Sequence, residues 1–258
     1  MIKWTMSCLL LISTSAFSSQ GKDFVYGENK FEGYIVLPKG AEKADKKFPA
    51  LLMIHNWMGV SAEVKKQADR FADLGYVVFA GDIYGKGVRP KDGAEAGKLA
   101  GTYKGNRSLF RERLNLALSI LKNHEKVEAG QLAALGYCFG GTGVIELARS
   151  GAELKSVISF HGGLDSPNPS DGKNIKAQVI AHHGAIDPFV KAEDLAAFEK
   201  EMKDHSVKYQ VISYEGAVHS FTDQGAGGDI KKGAAYDKKA DTQSFAWTKA
   251  HLKEIFGK

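Results

Sequence analysis

Cys138, Asp187 and His219 follow one another in the chain, and each stands just beyond a short apolar run. Cys138 sits in Gly136-Tyr137-Cys138-Phe139-Gly140-Gly141. The apolar run from Leu132 stops at Gly136 and reads as a buried strand, and Thr142 to Arg149 reads as a helix. Gly-x-Cys-x-Gly between a strand and a helix is a layout that carries a nucleophile on a strained turn, usually with serine at its centre. Glycines two residues to either side leave room where larger side chains would collide with the neighbouring strand and helix. The helix that follows aims its N-terminal amides at the sulfur, which favours a thiolate. A lone cysteine is more often a small buried hydrophobe. Here the glycines and the strand–turn–helix context favour the nucleophile.

A thiol nucleophile needs a base, and the base needs a group to orient it. The run Ala177 to His183 leads into Gly184-Ala185-Ile186-Asp187-Pro188, and Val207 to Tyr214 leads into Glu215-Gly216-Ala217-Val218-His219-Ser220-Phe221. Where the nucleophile stands on a strand–turn–helix elbow of this kind, the expected chain order is nucleophile, acid, histidine. Asp187 before Pro188 also suits a plain turn, and His55, His161 and His183 end strands too. The ordered set is therefore stronger than its members. Attack on a carbonyl also needs two backbone N–H groups for the oxyanion. Phe139, the residue after the nucleophile, is expected to supply one. The turn after Ala50 to His55 is expected to supply the other, from Trp57 or Asn56.

The elements that must position these residues are legible as periodicity. Phe31 to Pro38, Ala50 to His55, Tyr76 to Ala80, the run ending at Gly136, Ser156 to His161, Ala177 to His183 and Val207 to Tyr214 read as strands. Helices are expected from a Ser61 cap to Gly75, over Leu109 to Leu121 and Thr142 to Arg149, over Lys191 to Lys203, and over Gln243 to Ile255, with one short helix within Lys86 to Asn106. Short apolar strands alternating with amphipathic helices predict an α/β fold, with a mostly parallel central sheet covered on both faces. Ligands on such sheets sit at the carboxyl ends of the strands.

The chain has 258 residues, 43% of them hydrophobic and 25% charged, with a net charge of +5, which fits one globular domain with a large core. Lysines and arginines are scattered rather than striped, which argues against nucleic-acid binding. Residues 1–20 read as a secretory signal peptide: Lys3, an apolar centre at Cys8-Leu9-Leu10-Leu11-Ile12, then small residues from Ser13 to Ser18, with cleavage near residues 16–20. The segment is too short to span a bilayer. Residues 21–258 are then a single exported domain, periplasmic or secreted, without stable membrane insertion and expected to be a monomer. Of the two cysteines, only Cys138 lies outside this segment, so no internal disulfide is available after cleavage.

Several motifs together resemble the dienelactone hydrolase family of α/β-hydrolases. They are Gly33-Tyr34 followed by Pro38, His55-Asn56-Trp57-Met58-Gly59, Leu74-Gly75-Tyr76, Asp82-Ile83-Tyr84-Gly85, Gly136 to Gly141, His183 to Pro188 and His219-Ser220-Phe221. The resemblance implies the α/β-hydrolase fold, a Cys138–Asp187–His219 triad acting on a small ester or lactone, and neither metal nor organic cofactor. It makes Asn56, Tyr84, Ser220 and Asp223 the candidates for the substrate pocket. Two of them depart from the family pattern. Members often carry glutamate where this chain has Asn56, and dienelactone hydrolases proper have an arginine for the substrate carboxylate where it has Asp223. The leading expectation is an exported cysteine hydrolase of carboxylic esters, lactones or thioesters. A ligand-binding protein without turnover is the alternative from another class. A thiol redox sensor is a third, against which the absence of a resolving cysteine counts.

Overall fold

Apolar side chains alternate across the central strands so that both faces of one sheet are dry. Leu52, Ile54 and Ala134 point to one side, while Leu51, Met53, Ala133 and Leu135 point to the other. The computed structural model describes Ser19 and residues 21–257. Apart from Ser19, the expected signal peptide lies outside the described residues.

The elements run β1 (Lys22–Tyr26), β2 (Phe31–Val36), β3 (Phe48–Ile54), α1 (Ala62–Ala72), β4 (Val77–Gly81), α2 (Gly93–Gly105), α3 (Arg107–Lys122), β5 (Val127–Tyr137), α4 (Phe139–Arg149), β6 (Ser156–Phe160), β7 (Gln178–Gly184), α5 (Ala192–Asp204), β8 (Tyr209–Tyr214) and α6 (Lys238–Phe256). The strand order is β1-β2-β4-β3-β5-β6-β7-β8. β1 and β2 are antiparallel to their neighbours, and β3 to β8 are parallel. This is the α/β-hydrolase architecture. α2, α3, α4 and α5 cover one face, through Tyr103, Phe110, Val144 and Phe198 among others. α1 and α6 cover the other, through Val64, Phe71, Leu252 and Phe256. Each such side chain contributes about 1.5–3 kcal/mol when fully buried.

From β3 the chain turns outward to β4, and β5 then returns on the opposite side of β3. The crevice at this switch lies beyond the carboxyl ends of β3 and β5. The Asn56–Gly59 turn and Cys138 occupy it.

Several elements differ from the sequence reading, these four among them. β1 was not expected, because its pattern is short and mostly exposed. α2 has 13 residues instead of one short stretch, capped by Asp92, whose Oδ1 accepts the Ala94 and Glu95 N–H groups at 2.9 Å. α6 starts five residues before Gln243, where Asp237 accepts the Ala240 N–H at 2.9 Å. α4 starts at Phe139, three residues before Thr142, and so takes Gly140 and Gly141 into its first turn.

Candidate active site

Cys138 has φ 54°, a left-handed conformation that costs a residue bearing a Cβ. Two hydrogen bonds hold it there. The Cys138 N–H donates to Phe160 O at 2.9 Å, and the Thr142 N–H donates to Cys138 O at 3.2 Å. The turn is so tight that a Cβ on Gly136 would fall on the Gly140 carbonyl, and one on Gly140 would fall on the Ile54 carbonyl. The two glycines are therefore fixed by backbone contact, and the thiol is lifted out of the line of β5.

Two loops bring partners to it. His219 Nε2 lies 3.0 Å from Cys138 Sγ, and His219 Nδ1 lies 2.8 Å from Asp187 Oδ2. Asp187 Oδ1 accepts the Phe189 N–H at 2.8 Å, which fixes the carboxylate in its own turn. The Asp187 side chain is fully buried and that of His219 is 12% exposed. Burial opposes a charged thiol at Cys138. The charge of His219, its hydrogen bond, the Phe139 amide and, last, the charge of Lys104 outweigh burial and hold the thiol below its ordinary value. Burial likewise opposes an imidazolium at His219, but the Cys138 charge and the hydrogen bonds to Asp187 and Cys138 raise it to about 10. The two shifts favour a thiolate–imidazolium pair, which is a nucleophile beside its own proton donor.

The Phe139 N–H, at the start of α4, hydrogen-bonds to Cys138 and faces the sulfur. On the other side of the crevice, Asn56 O accepts His55 Nδ1 at 2.6 Å and the Gly59 N–H at 3.3 Å. That orients the Asn56–Trp57 peptide and leaves the Trp57 N–H without a partner among the described residues. The Trp57 ring is 41% exposed and lies over Gly93 at the start of α2. Phe189, 61% exposed, sets its ring edge-to-face against His219 at 5.3 Å. These two aromatics give the crevice an apolar rim.

The other expected pocket residues have distinct places. Tyr84 is buried against His55 and Phe139, and its hydroxyl donates to Trp57 O at 3.0 Å. It thus braces the Trp57 turn. Asn56 Oδ1 accepts the Met58 N–H at 2.9 Å, and its Nδ2 donates to Glu63 Oε2 at 3.1 Å. Ser220 follows His219 with φ 57°, and its carbonyl accepts the Asp223 N–H at 2.8 Å. Asp223 Oδ1 accepts the Gly225 N–H at 2.7 Å, and Asp223 lines a groove shared with Asn56 and Glu63.

Three residues near the site were given no role by the sequence reading. Burial lowers His55 to about 4, so it is neutral, donating from Nδ1 to Asn56 O and accepting the Ile83 N–H on Nε2 at 3.2 Å. His161, also buried and held well below its ordinary value by burial first and by His219 second, packs edge-to-face on His219 at 5.1 Å and bonds Thr222 Oγ1 at 2.8 Å. The third is Glu63. Only the ends of strands β3 and β6 marked the two histidines, and nothing in the sequence marked Glu63. Among the described residues, no group of three or more His, Cys, Asp or Glu is arranged to hold a metal, and no helix is long and apolar enough to cross a membrane.

Comparison with known proteins places the chain in a family. The family model described as "Dienelactone hydrolase family" matches residues 31–256. A solved structure named m3DLH superposes with a TM-score of 0.87 at 31% identity, covering 93% of this chain and 100% of that one. A dienelactone hydrolase-like promiscuous phosphotriesterase from metagenomic libraries superposes with a TM-score of 0.86 at 32% identity, covering 93% of this chain and 99% of that one. A Bradyrhizobium sp. protein named "Probable 2-oxo-3-(5-oxofuran-2-ylidene)propanoate lactonase" is 28% identical over 68% of this chain and 74% of its own length. The chain belongs to the dienelactone hydrolase family, and it is a hydrolase of ester or lactone bonds.

Proposed function

We propose that this chain is an exported cysteine hydrolase that cleaves small carboxylic esters, lactones or thioesters through an acyl-enzyme on Cys138. The observation that carries the reading is the unbroken hydrogen-bonded series from Cys138 Sγ through His219 at 3.0 Å to Asp187 at 2.8 Å. The Cys138 thiolate attacks the carbonyl carbon, and the carbonyl oxygen takes up the negative charge. The Phe139 and Trp57 N–H groups stabilise that oxyanion. As the intermediate collapses, the bond to the leaving oxygen or sulfur breaks, and His219 Nε2 gives that atom its proton. A thioester remains on Cys138. Water, deprotonated by His219, attacks it, and the acid leaves as the thiolate and imidazolium are restored. Asp187 keeps the His219 Nδ1 proton in place throughout, so Nε2 is the nitrogen that exchanges protons.

The apolar rim of Trp57 and Phe189 supports a substrate with hydrophobic groups flanking the scissile bond. Purified protein assayed against ester, lactone, thioester and phosphotriester panels, beside Cys138→Ala, tests the reading. Turnover that vanishes in Cys138→Ala, with an acyl adduct on the Cys138 peptide by mass spectrometry, is the expected result. Unchanged ester turnover in Cys138→Ala would end it. Export is tested by N-terminal sequencing from the native host, where the mature chain is expected to start between Phe17 and Gly21.

A further inference from the structure

The turn that offers the Trp57 N–H is tied to a carboxylate that the steps above do not use. Asn56 is buried, and both ends of its side-chain amide are engaged. The oxygen takes the Met58 N–H at 2.9 Å, and the nitrogen donates to Glu63 Oε2 at 3.1 Å. Tyr84 holds the carbonyl of the same Trp57–Met58 peptide at 3.0 Å. One peptide of the turn is therefore held at both its oxygen and its N–H, and Glu63 is the outer anchor of the second hold. Glu63 lies in the first turn of α1, which Ser61 caps through the Val64 N–H. It faces a groove of about 960 Å³ whose walls include Lys66, Arg70, Asp223 and Asp241.

We propose that Glu63 is a positioning residue for the hydrolysis: its carboxylate, acting through the Asn56 side-chain amide, holds the Asn56–Gly59 turn so that the Trp57 N–H meets the substrate carbonyl. The proposal rests on the hydrolase reading above. A primary amide works as a rigid strut, because a pull on its nitrogen fixes the direction of its oxygen. An ionised acceptor makes the stronger anchor, since a charge-assisted hydrogen bond is roughly twice as strong as a neutral one. The surroundings put that ionisation within the working range. Burial pushes Glu63 up to about 7, and the Asp223 charge adds to it, as Asp241 does less strongly. The Asn56 hydrogen bond and Lys66 pull the other way. Of the other charges on the groove, Arg70 stands 3.7 Å from Asp241, Asp69 lies further along α1 and Asp73 just past its end.

A merely structural role is available to Glu63, because an acid in the first turn of a helix stabilises the helix dipole. That role has no reason to appear in the chemistry. The two are separated by measuring kcat and KM for a neutral ester from pH 5 to 9, alongside alkylation of Cys138 by iodoacetamide, in wild type, Glu63→Gln and Asp223→Asn. Alkylation needs the thiolate and no oxyanion donor. In wild type the ester profile is expected to carry a limb near pH 7 that the alkylation profile lacks. Glu63→Gln should remove that limb and lower kcat at pH 8 by about tenfold, with a smaller change in KM. Asp223→Asn leaves Glu63 in place and removes a charge that raises it, so the limb should move to lower pH. A wild-type ester profile in Glu63→Gln, or a limb shared by turnover and alkylation, overturns the proposal alone. A wild-type protein that turns over no ester, lactone or thioester fails the hydrolase reading and this proposal with it.

Discussion

Asp187→Asn exchanges a carboxylate for an amide of the same shape, and the structure dictates which way the amide must face. Asp187 Oδ1 accepts the Phe189 N–H at 2.8 Å, while Oδ2 meets His219 Nδ1 at 2.8 Å. An asparagine keeps the first bond with its carbonyl oxygen and must then present its NH2, a donor, to Nδ1. The His219 proton moves to Nε2, the nitrogen 3.0 Å from Cys138 Sγ, where it blocks uptake of the thiol proton. The lost charge acts in the same direction. A unit pair at 2.8 Å and an effective dielectric of ~20 is of order ~6 kcal/mol, an upper bound. Charge-assisted hydrogen bonds measured by substitution are worth ~1.5–3 kcal/mol. Taking the smaller range, the imidazolium becomes easier to deprotonate by about 1–2 pH units. His219 is raised to about 10, so the upper limit of the ion pair should fall by that amount. At the acid limb His219 carries its charge with either side chain at position 187, so the Cys138 thiol should begin to ionise at much the same pH. Iodoacetamide alkylation followed from pH 4 to 10 reads both limbs. The pH window of the ion pair should narrow from its upper side, and ester kcat/KM should drop by ~10²–10⁴. An Asp187→Asn protein with the wild-type alkylation profile would refute the reasoning, because the carboxylate would then tune neither the base nor, through it, the thiol.

Gly140→Ala should lose about 1–3 kcal/mol, because its Cβ would press on the Ile54 and His55 carbonyls of β3 and the turn that follows it, and backbone does not yield as side chains do; the urea midpoint measures it. Arg149→Met should lose about 3–5 kcal/mol, read by urea denaturation at pH 8. Arg149 is fully buried between Glu146 at 2.8 Å and Glu201 at 2.6 Å, and while Glu146 keeps Arg107 and Arg111, Glu201 would be left a buried charge without a partner. Glu63→Gln should raise stability at pH 8 and leave it nearly unchanged at pH 4. Burial raises Glu63 from its ordinary 4.5 to about 7, so its contribution is complete below pH 4.5 and is lost as the pH rises through 7. Thermal melts of both proteins at the two pH values check the sign.

The parallel strands were legible because both faces of the sheet are covered, so that Leu51 to Ile54 and Leu132 to Leu135 stand in the sequence as unbroken apolar runs. The start of β5 was not. Residues 128–131 are exposed or half-exposed, and Val127 is drawn into the strand by pairing with Phe48, a partner 79 positions away that leaves no periodic mark. α2 was under-read for a different reason. Gly97, Gly101 and Gly105 have nothing within 4 Å of where a Cβ would stand, so propensity argues against a helix at positions where packing is indifferent. The helix forms because Asp92 caps it and because Ala96, Ala100 and Tyr103 turn one face to the core.

That Cys138, Asp187 and His219 would come together was legible because each stands just past a strand end, and strand ends are what periodicity locates best. The hold on the Trp57 turn was not, because it depends on how α1 rotates against that turn. Read along the chain, Glu63 is an ordinary acid in the first turn of a helix, seven residues past Asn56. Only the packing shows that the two side chains meet at 3.1 Å. Asp223 makes the same point in reverse. Its place four residues after His219 reads as a charge facing the substrate, one that repels carboxylates. In the fold, one of its oxygens is taken by the Gly225 N–H at 2.7 Å, and its field raises Glu63. Neither Cys138 nor His219 owes its shift to Asp223. Its influence on the chemistry then runs through Glu63 and Asn56 to the Trp57 amide. Asp223→Arg should accordingly move the pH dependence of turnover while leaving the preference between a neutral ester and its carboxylate analogue little changed. A reversed preference would mean that Asp223 meets the substrate directly, as the sequence alone suggests.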